Sequence, residues 1–172
     1  MLIAKASKRI QGYTLIEMMV VIAIMGLLTS IVLPYLPGDK QELLQDEVDR
    51  FESRIAYAQT QAVLQSQDLG LLIDGAEYRF MQRTAAAWQV LEEEPLQMQK
   101  IPEFLKQHLY IEGAEYIPEE SIDPKERVPS VLFYSSGEIS PFTYRLALAE
   151  KHYIELKYNP LGEVERESIH EP

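Results

Sequence analysis

An unbroken apolar run lies near the beginning of the chain. From Met18 to Gly38 there are 21 consecutive uncharged residues, most of them Met, Val, Ile or Leu. As an α-helix, about 20 residues at 1.5 Å each cover the roughly 30 Å hydrocarbon core of a bilayer. The pattern therefore predicts a transmembrane helix over 13–36. Pro34 falls near its end and predicts a kink, because proline removes one main-chain hydrogen bond.

A periodic pattern follows the continuous one. Apolar residues recur every three or four positions, at Leu44, Val48, Phe51, Ile55, Ala58 and Ala62. This spacing predicts an amphipathic helix over 39–67 that continues the first helix and buries one stripe. Charged residues occupy the other positions of its first half. The glutamines of the second half, Gln59, Gln61, Gln65 and Gln67, are expected on the solvated side.

Beyond residue 68 the helical period disappears and short runs of β-branched, aromatic and Leu residues lie between turn signals. These runs predict strands at 69–74, 77–82, 86–91, 108–112, 131–135, 142–149, 152–158 and 163–167. Two connections, 92–106 and 116–129, lack clear periodicity. The predicted fold class is α+β: a long N-terminal helix, transmembrane and then amphipathic, packed on an antiparallel β-sheet or sandwich domain over 69–172.

Charge is distributed unevenly along the chain. Its 172 residues include 16 basic and 27 acidic side chains, for a formal net charge of −11, yet Glu17 is the single acid among the first 38 residues. Lys5, Lys8 and Arg9 precede the apolar run, which predicts a cytoplasmic N-terminus and a C-terminal part across the membrane. The acidic balance argues against a nucleic-acid-binding protein, which needs a basic surface.

The sequence offers little for catalysis. There is no cysteine, the three histidines are scattered, and neither a phosphate-binding loop nor a dinucleotide fingerprint occurs. The connection over 116–129 is rich in carboxylates, but Lys125 and Arg127 lie among them, so a solvated loop is expected rather than a calcium site. We expect no enzymatic activity, no cofactor and no bound metal.

Glu17 is the unusual residue of the apolar run, and several interpretations remain open. A secretory signal peptide would need small residues at a cleavage site, which 33–38 does not offer. A plain membrane anchor leaves an intramembrane carboxylate without a purpose. Thr14-Leu15-Ile16-Glu17 also fits the capping-box pattern, in which Glu17 would simply help to begin the helix.

The context of Glu17 resembles the signature of the type IV pilin and pseudopilin family. A short basic leader ends in Gly12-Tyr13-Thr14-Leu15-Ile16-Glu17, and the apolar run that follows carries Gly26 and Pro34 where the family commonly has Gly and Pro. The family usually has Phe in place of Tyr13. The resemblance implies that prepilin peptidase removes residues 1–12 by cutting after Gly12 and then methylates the amino group of Tyr13. The mature chain of 160 residues would have a formal charge of −14.

The same resemblance implies a function for Glu17 in assembly. The new α-amine, with an ordinary pKa near 7.7–8.0, would lie one helical turn from Glu17, and in the family this carboxylate meets the amine of a neighbouring subunit. Pairing within one chain is equally possible from the residues alone. Ala23, Gly26 and Ser30 share one helical face, where small side chains would allow close helix packing.

A second resemblance concerns the C-terminal half. Residues 131–142, VLFYSSGEISPF, are similar to the H-type minor pseudopilin of type II secretion. This implies a structural subunit of a periplasmic pseudopilus that moves folded proteins through an outer-membrane secretin. Its partners would be other pseudopilins, prepilin peptidase and an inner-membrane assembly platform. It would sit in the bacterial inner membrane with a single pass and a periplasmic domain. The alternatives are a FimT-like minor pilin of a type IV pilus and a membrane-anchored periplasmic binding domain that does not polymerise.

Overall fold

The chain divides into two compact units, residues 1–38 and 39–172. The structure, a computed structural model, describes residues 14–32, 40–85, 87–118, 127–150 and 152–170. In the first unit, helix α1 covers Leu15–Val32. The second unit contains helix α2, Lys40–Gln65, and all of the described strands. Both helices lie within their predicted ranges.

Helix α2 ends two residues before its predicted boundary. Ser66 adopts a left-handed conformation with φ of 50°. Its N–H donates to the carbonyl of Val63 at 3.1 Å, and Gln67 N–H donates to the carbonyl of Ala62 at 3.0 Å. This is the Schellman arrangement, which satisfies the last carbonyls of a helix and stops it.

Ten strands follow α2 in the described part of the chain. They are β1 (Leu69–Asp74), β2 (Glu77–Arg83), β3 (Trp88–Val90), β4 (Gln99–Lys100), β5 (Lys106–Ile111), β6 (Ala114–Glu115), β7 (Val131–Phe133), β8 (Phe142–Ala149), β9 (His152–Tyr158) and β10 (Val164–His170). Each predicted strand is present: β1, β8 and β9 have the predicted bounds, and the bounds of the others are shifted by one to three residues. The two-residue strands β4 and β6 have no periodic signal and were not predicted.

The strands form two sheets in which every described pairing is antiparallel. In the first sheet the order is β3-β2-β1-β7, with β4 also paired to β2. In the second sheet the order is β10-β9-β8-β5-β6. Strand β8 pairs with β9 from Phe142 opposite Tyr158 to Ala147 opposite Tyr153, after which the register shifts. The alternation along these strands turns one face of each sheet towards α2.

The core lies between α2 and the two sheets. The six residues of the predicted apolar stripe are all buried in one cluster with strand residues of both sheets. At its centre Phe51 stacks on Tyr144, with ring centroids 3.8 Å apart, and meets Tyr78 edge-on at 5.2 Å. Burial raises the pKa of Tyr78 to about 12, an effect that nearby Arg54 partly opposes. Burial likewise raises the pKa of Tyr144 and of Tyr158.

The expectation that all four glutamines lie on a solvated side was wrong for Gln59 and Gln67. Gln59 is half-buried, and its amide donates to the carbonyls of Gly137 at 2.7 Å and Leu161 at 3.1 Å. Gln67 lies beyond the helix end and donates to the carbonyl of Arg83 at 2.7 Å. The reason is tertiary: the side chains bond to main-chain carbonyls of turns and strands that are distant in sequence.

The first sheet is covered on the side away from α2 as well. Leu72 and Met81 point to that side and are nevertheless buried. Gly70 lies against the Pro129 ring, which a Cβ at position 70 would overlap. The Arg127 guanidinium lies 2.5 Å from the carboxylate of Asp74. Arg127 and Pro129 therefore attach their segment to β1, and this explains why β1 is buried on both faces.

Candidate functional site: the amino-terminal helix

Helix α1 presents apolar side chains to its surroundings on every side. Eleven of its large hydrophobic residues, between Leu15 and Leu28, are exposed, by 42% to 79% of their surface. Burying such side chains stabilises a protein by about 1.5–3 kcal/mol each. A continuous exposed apolar surface of this kind marks a site of contact with lipid or with other proteins.

Thr14 caps α1, as the sequence pattern predicts. Its Oγ1 accepts a hydrogen bond from the N–H of Glu17 at 3.3 Å, and its carbonyl accepts from Glu17 and Met18 at 3.1 and 3.3 Å. The cap therefore uses the main chain of Glu17, while the side chain of Glu17 is exposed. Capping and a separate interaction of the carboxylate are compatible, because they use different atoms of the same residue.

The three small residues of the predicted packing face all lie within α1. Ala23 and Gly26 are exposed, and Ser30 follows one turn later in the same helix. A Cβ built on Gly26 would meet no described atom within 4 Å. Glycine at this position is therefore not required by a close neighbour within the described part of the chain. Their function in helix packing stays a prediction.

Three of the predicted site residues, Gly12, Tyr13 and Pro34, lie outside the described residues. The predicted transmembrane range 13–36 likewise extends beyond the described residues 14–32 at both ends. Within the ranges that the structure describes, no helix combines the length and the apolar character needed to cross a membrane. The span over 13–36 thus stays a prediction.

The second unit carries polar anchors that sequence reasoning missed. Arg54 of α2 donates to the carbonyl of Pro95 at 3.2 Å, to the Tyr78 hydroxyl at 3.0 Å and to the Gln99 side chain at 2.9 Å. It fixes the connection between β3 and β4 against the helix. Gln59 does the same for the turns around Gly137 and Leu161. Neither partner set is close in sequence, so no local signal could reveal them.

Other polar groups form pairs between neighbouring strands. The Nδ1 atom of His108 lies 2.6 Å from the carboxylate of Glu115. Arg145 donates from Nε and Nη2 to one carboxylate oxygen of Glu155, at 2.9 and 2.7 Å, and lies over the rings of Tyr110 and Tyr153. Among the described residues, no group of three or more His, Asp or Glu could hold a metal ion. These contacts are typical of a sheet surface rather than of a reaction centre.

Comparison with known proteins adds two family matches. Residues 7–33 match the prokaryotic N-terminal methylation motif, a range that contains Gly12, Tyr13 and Glu17. Residues 47–162 match the family of type II transport protein GspH, and they take in most of α2 and the strands through β9. The chain belongs to the GspH family.

Individual GspH relatives agree with this assignment. Type II secretion system protein H of Aeromonas hydrophila is 31% identical over 148 residues, which cover 80% of this chain and 81% of the relative. Its counterpart in Pseudomonas aeruginosa is 29% identical over 145 residues, 80% and 83% of the two chains. The match covers most of each protein, not a shared fragment.

Solved structures show the same fold. The minor pseudopilin EpsH from the type II secretion system of Vibrio cholerae superposes with a TM-score of 0.64 at 22% identity, covering 78% of this chain and 99% of EpsH. The solution structure of E. coli GspH gives a TM-score of 0.57 at 21% identity, covering 76% and 91%. The predicted arrangement of a helix on antiparallel sheets is confirmed.

Proposed function

We propose that this protein is a minor pseudopilin, a structural subunit of the pseudopilus that exports folded proteins by type II secretion. The observation that carries the proposal is the contrast between the packed second unit and the exposed apolar helix α1 of the same chain. A domain of the GspH family has a packed core, while the helix that precedes it exposes apolar side chains all round and contains a single carboxylate, Glu17. Such a helix is suited to association with lipid and then with other subunits.

Processing at the N-terminus belongs to this proposal. Prepilin peptidase cuts after Gly12, and the new amino group of Tyr13 is methylated. The match of residues 7–33 to the N-terminal methylation motif supports this step. Removal of the leader creates a cation one turn from Glu17, and an ion pair in lipid replaces two unpaired charges. The exposed Glu17 side chain, with its main chain already engaged by Thr14, supports pairing with a neighbouring subunit.

The proposal includes a location and a set of partners. Residues 13–36 anchor the chain in the inner membrane with the leader in the cytoplasm and the second unit in the periplasm. Ala23, Gly26 and Ser30 provide a face for close helix packing, and Pro34 bends the chain before α2. An inner-membrane platform inserts the subunit into the pseudopilus beside other pseudopilins. The protein acts by assembly, not by catalysis, and needs no cofactor.

Deletion of the gene in its host tests the function. Loss of exoprotein export with twitching motility retained, and recovery of export on complementation, is the expected result. Loss of twitching with export retained would favour a FimT-like minor pilin. No change in either would favour a binding domain that does not polymerise.

The mass of the membrane-extracted protein tests the processing step. The expected mass corresponds to residues 13–172 plus one methyl group. An intact mass that retains residues 1–12, in cells with active prepilin peptidase, would contradict cleavage after Gly12. A strain without the peptidase is the control and should retain the leader.

A further inference from the structure

Strand β10 forms a long open edge of the second sheet. It covers the seven residues Val164–His170, and in the described part of the chain it pairs with β9 alone. The strands β3, β4, β6 and β7, which lie at the other described edges, are only two or three residues long. An edge strand presents a row of main-chain N–H and C=O groups to which a further strand can add.

The register of β9 and β10 determines which main-chain groups point outwards. At the turn between them, the N–H of Asn159 donates to the carbonyl of Glu163 at 3.1 Å, so these two residues form a hydrogen-bonded pair. Hydrogen-bonded and non-hydrogen-bonded pairs alternate along an antiparallel ladder. Counted from that pair, Val164, Arg166 and Ser168 fall in the non-hydrogen-bonded positions. Their N–H and C=O groups therefore point away from β9, towards the open edge.

Space for a further strand lies beside this edge. A groove of about 420 Å³ between α2 and β10 is lined by Asp49, Glu52, Ser53, Ala56 and Arg166. Ser53 and Ala56 are exposed and have short side chains, so they leave room for the side chains of an added strand. Arg166 bonds to Asp49 and lies 3.9 Å from the carboxylate of Glu52. These ion pairs hold the edge of the sheet against the helix.

The side chains along the open edge are predominantly acidic. Val164 packs against the core and Arg166 bonds to α2, so Glu165 and Glu167 point to the opposite face of the sheet, where both are exposed. Lys157 of β9 lies opposite Glu165 and donates to Glu167 at 3.1 Å. The edge, the groove and the adjoining ion pairs contain six acids and three bases, a formal charge of −3: Asp49, Glu52, Glu155, Glu163, Glu165 and Glu167 with Arg145, Lys157 and Arg166.

We infer that the open edge of β10 accepts an extended segment of a partner protein as an added strand, and that this segment carries Lys or Arg at every second position. Main-chain hydrogen bonds provide affinity in strand addition, and alternate side chains provide specificity. Cations two residues apart on the added strand lie directly opposite Glu165 and Glu167, where pairs of opposite charge are favourable. The residue between them lies over the groove floor formed by Ser53 and Ala56.

A second copy of this chain fits the edge poorly. Antiparallel pairing of two β10 strands centred on Arg166 would place Glu165 of each copy opposite Glu167 of the other, and like charges directly opposite one another are destabilising. The inference goes beyond the proposed function and does not depend on it, because the second unit alone carries the edge.

Amide hydrogen exchange of the full-length chain in a nonionic detergent tests strand addition. The probe is a synthetic octapeptide of alternating lysine and valine, blocked at both ends. At about ten times its dissociation constant, the peptide should slow exchange of the Val164, Arg166 and Ser168 amides by about tenfold. The amides of Trp88 and Val90 on the short edge strand β3 are the control and should be unaffected. No slowing at about 1 mM peptide, or equal slowing of the β3 amides, would overturn the inference.

N-methylated peptides separate strand addition from attraction between charges. In the proposed register the valine N–H groups face β10 and the lysine N–H groups face away from it. Methylation of the valine nitrogens should therefore abolish the protection, and methylation of the lysine nitrogens should preserve it. Equal effects of the two modifications would overturn the inference.

Charge reversal tests the specificity for a basic segment. Glu165→Lys with Glu167→Lys should weaken binding of the lysine–valine peptide by about tenfold and allow a glutamate–valine peptide to bind instead, which also shows that the variant is folded. Glu92→Lys with Glu93→Lys, an equal change of charge at exposed positions away from β10, should alter binding by less than about twofold.

Two outcomes of the charge-reversal experiment would overturn the inference. An equal loss of binding in both double variants would mean that the peptide responds to net charge alone. Slowing of the β10 amides without peptide, increasing with protein concentration, would identify a second copy as the occupant of the edge.

Discussion

Helices α1 and α2 differ in where their apolar side chains find partners. In α2 the apolar residues form one stripe, and all six members of that stripe are buried against strands of the same unit. In α1 the apolar residues surround the helix and stay exposed. A helix with one apolar stripe can be completed by its own domain, whereas a helix that is apolar all round needs lipid or other chains.

The polar residues of the two helices differ in the same way. Arg54 and Gln59 of α2 bond to main-chain and side-chain groups of the second unit and so position its loops and turns. Glu17 of α1 is exposed, and the cap that begins the helix uses only its N–H. Substitutions in α2 should therefore change folding stability, and substitutions in α1 should change assembly.

The largest loss of stability is expected for Phe51→Ala. It removes the ring that stacks on Tyr144 and meets Tyr78, and truncation of a buried aromatic residue costs about 3–5 kcal/mol. Denaturant unfolding of the full chain in detergent measures the loss. Leu27→Ala in α1, at an exposed position, is the matched control and should change the free energy of unfolding by less than about 0.5 kcal/mol. Equal losses would remove the distinction between the helices.

Alkaline pH should destabilise the second unit through its buried tyrosines. The folded-state pKa of Tyr78 is raised to about 12 from an ordinary value of 10, so above pH 10 the unfolded chain loses a proton that the folded chain keeps. Its contribution is fully present below pH 10 and is lost between pH 10 and about 12, on the order of 2–3 kcal/mol. Unfolding measured against pH, with Tyr78→Phe as the comparison, tests this. An unchanged slope in Tyr78→Phe would exclude Tyr78 as a source.

A smaller effect is expected for Gln59→Ala, which removes two hydrogen bonds to main-chain carbonyls. The cost should be about 1–2 kcal/mol, because two carbonyls lose a half-buried donor. Thermal unfolding measures the change, with Gln61→Ala, whose side chain accepts a hydrogen bond from Gln65 within α2, as the control. If the two variants are equally stable, Gln59 does not fasten the turns to the helix.

Periodicity predicted most of the fold because burial follows it closely in this chain. The stripe from Leu44 to Ala62 identified α2, and short runs of β-branched, aromatic and Leu residues between turn signals identified strands such as β8 and β9. What periodicity could not predict depends on distant segments. Strands β4 and β6 are two residues long and exist through their pairing with β2 and β5, and β1 is buried on its second face because Pro129 lies against Gly70.

In the candidate functional site, too, local features were predictable from the sequence and contacts between distant segments were not. Thr14 and Glu17 were recognisable because the cap and the charge lie within four residues of each other. The contacts of Arg54 and Gln59 were not, because their partners lie 24 to 102 residues away along the chain. Local chemistry can be inferred from the sequence, but contacts between distant segments require the fold.

The export assay of a Glu17→Ala variant tests the central claim most directly. A host strain without the gene is complemented with wild-type chain or with Glu17→Ala at equal membrane levels, and the exported fraction of an exoprotein is measured. Because α1 needs only the N–H of Glu17 for its cap, the variant should be as stable as the wild type, yet export should fall to the level of the deletion strain. Full export with the variant would contradict the claim that the carboxylate of Glu17 acts in assembly.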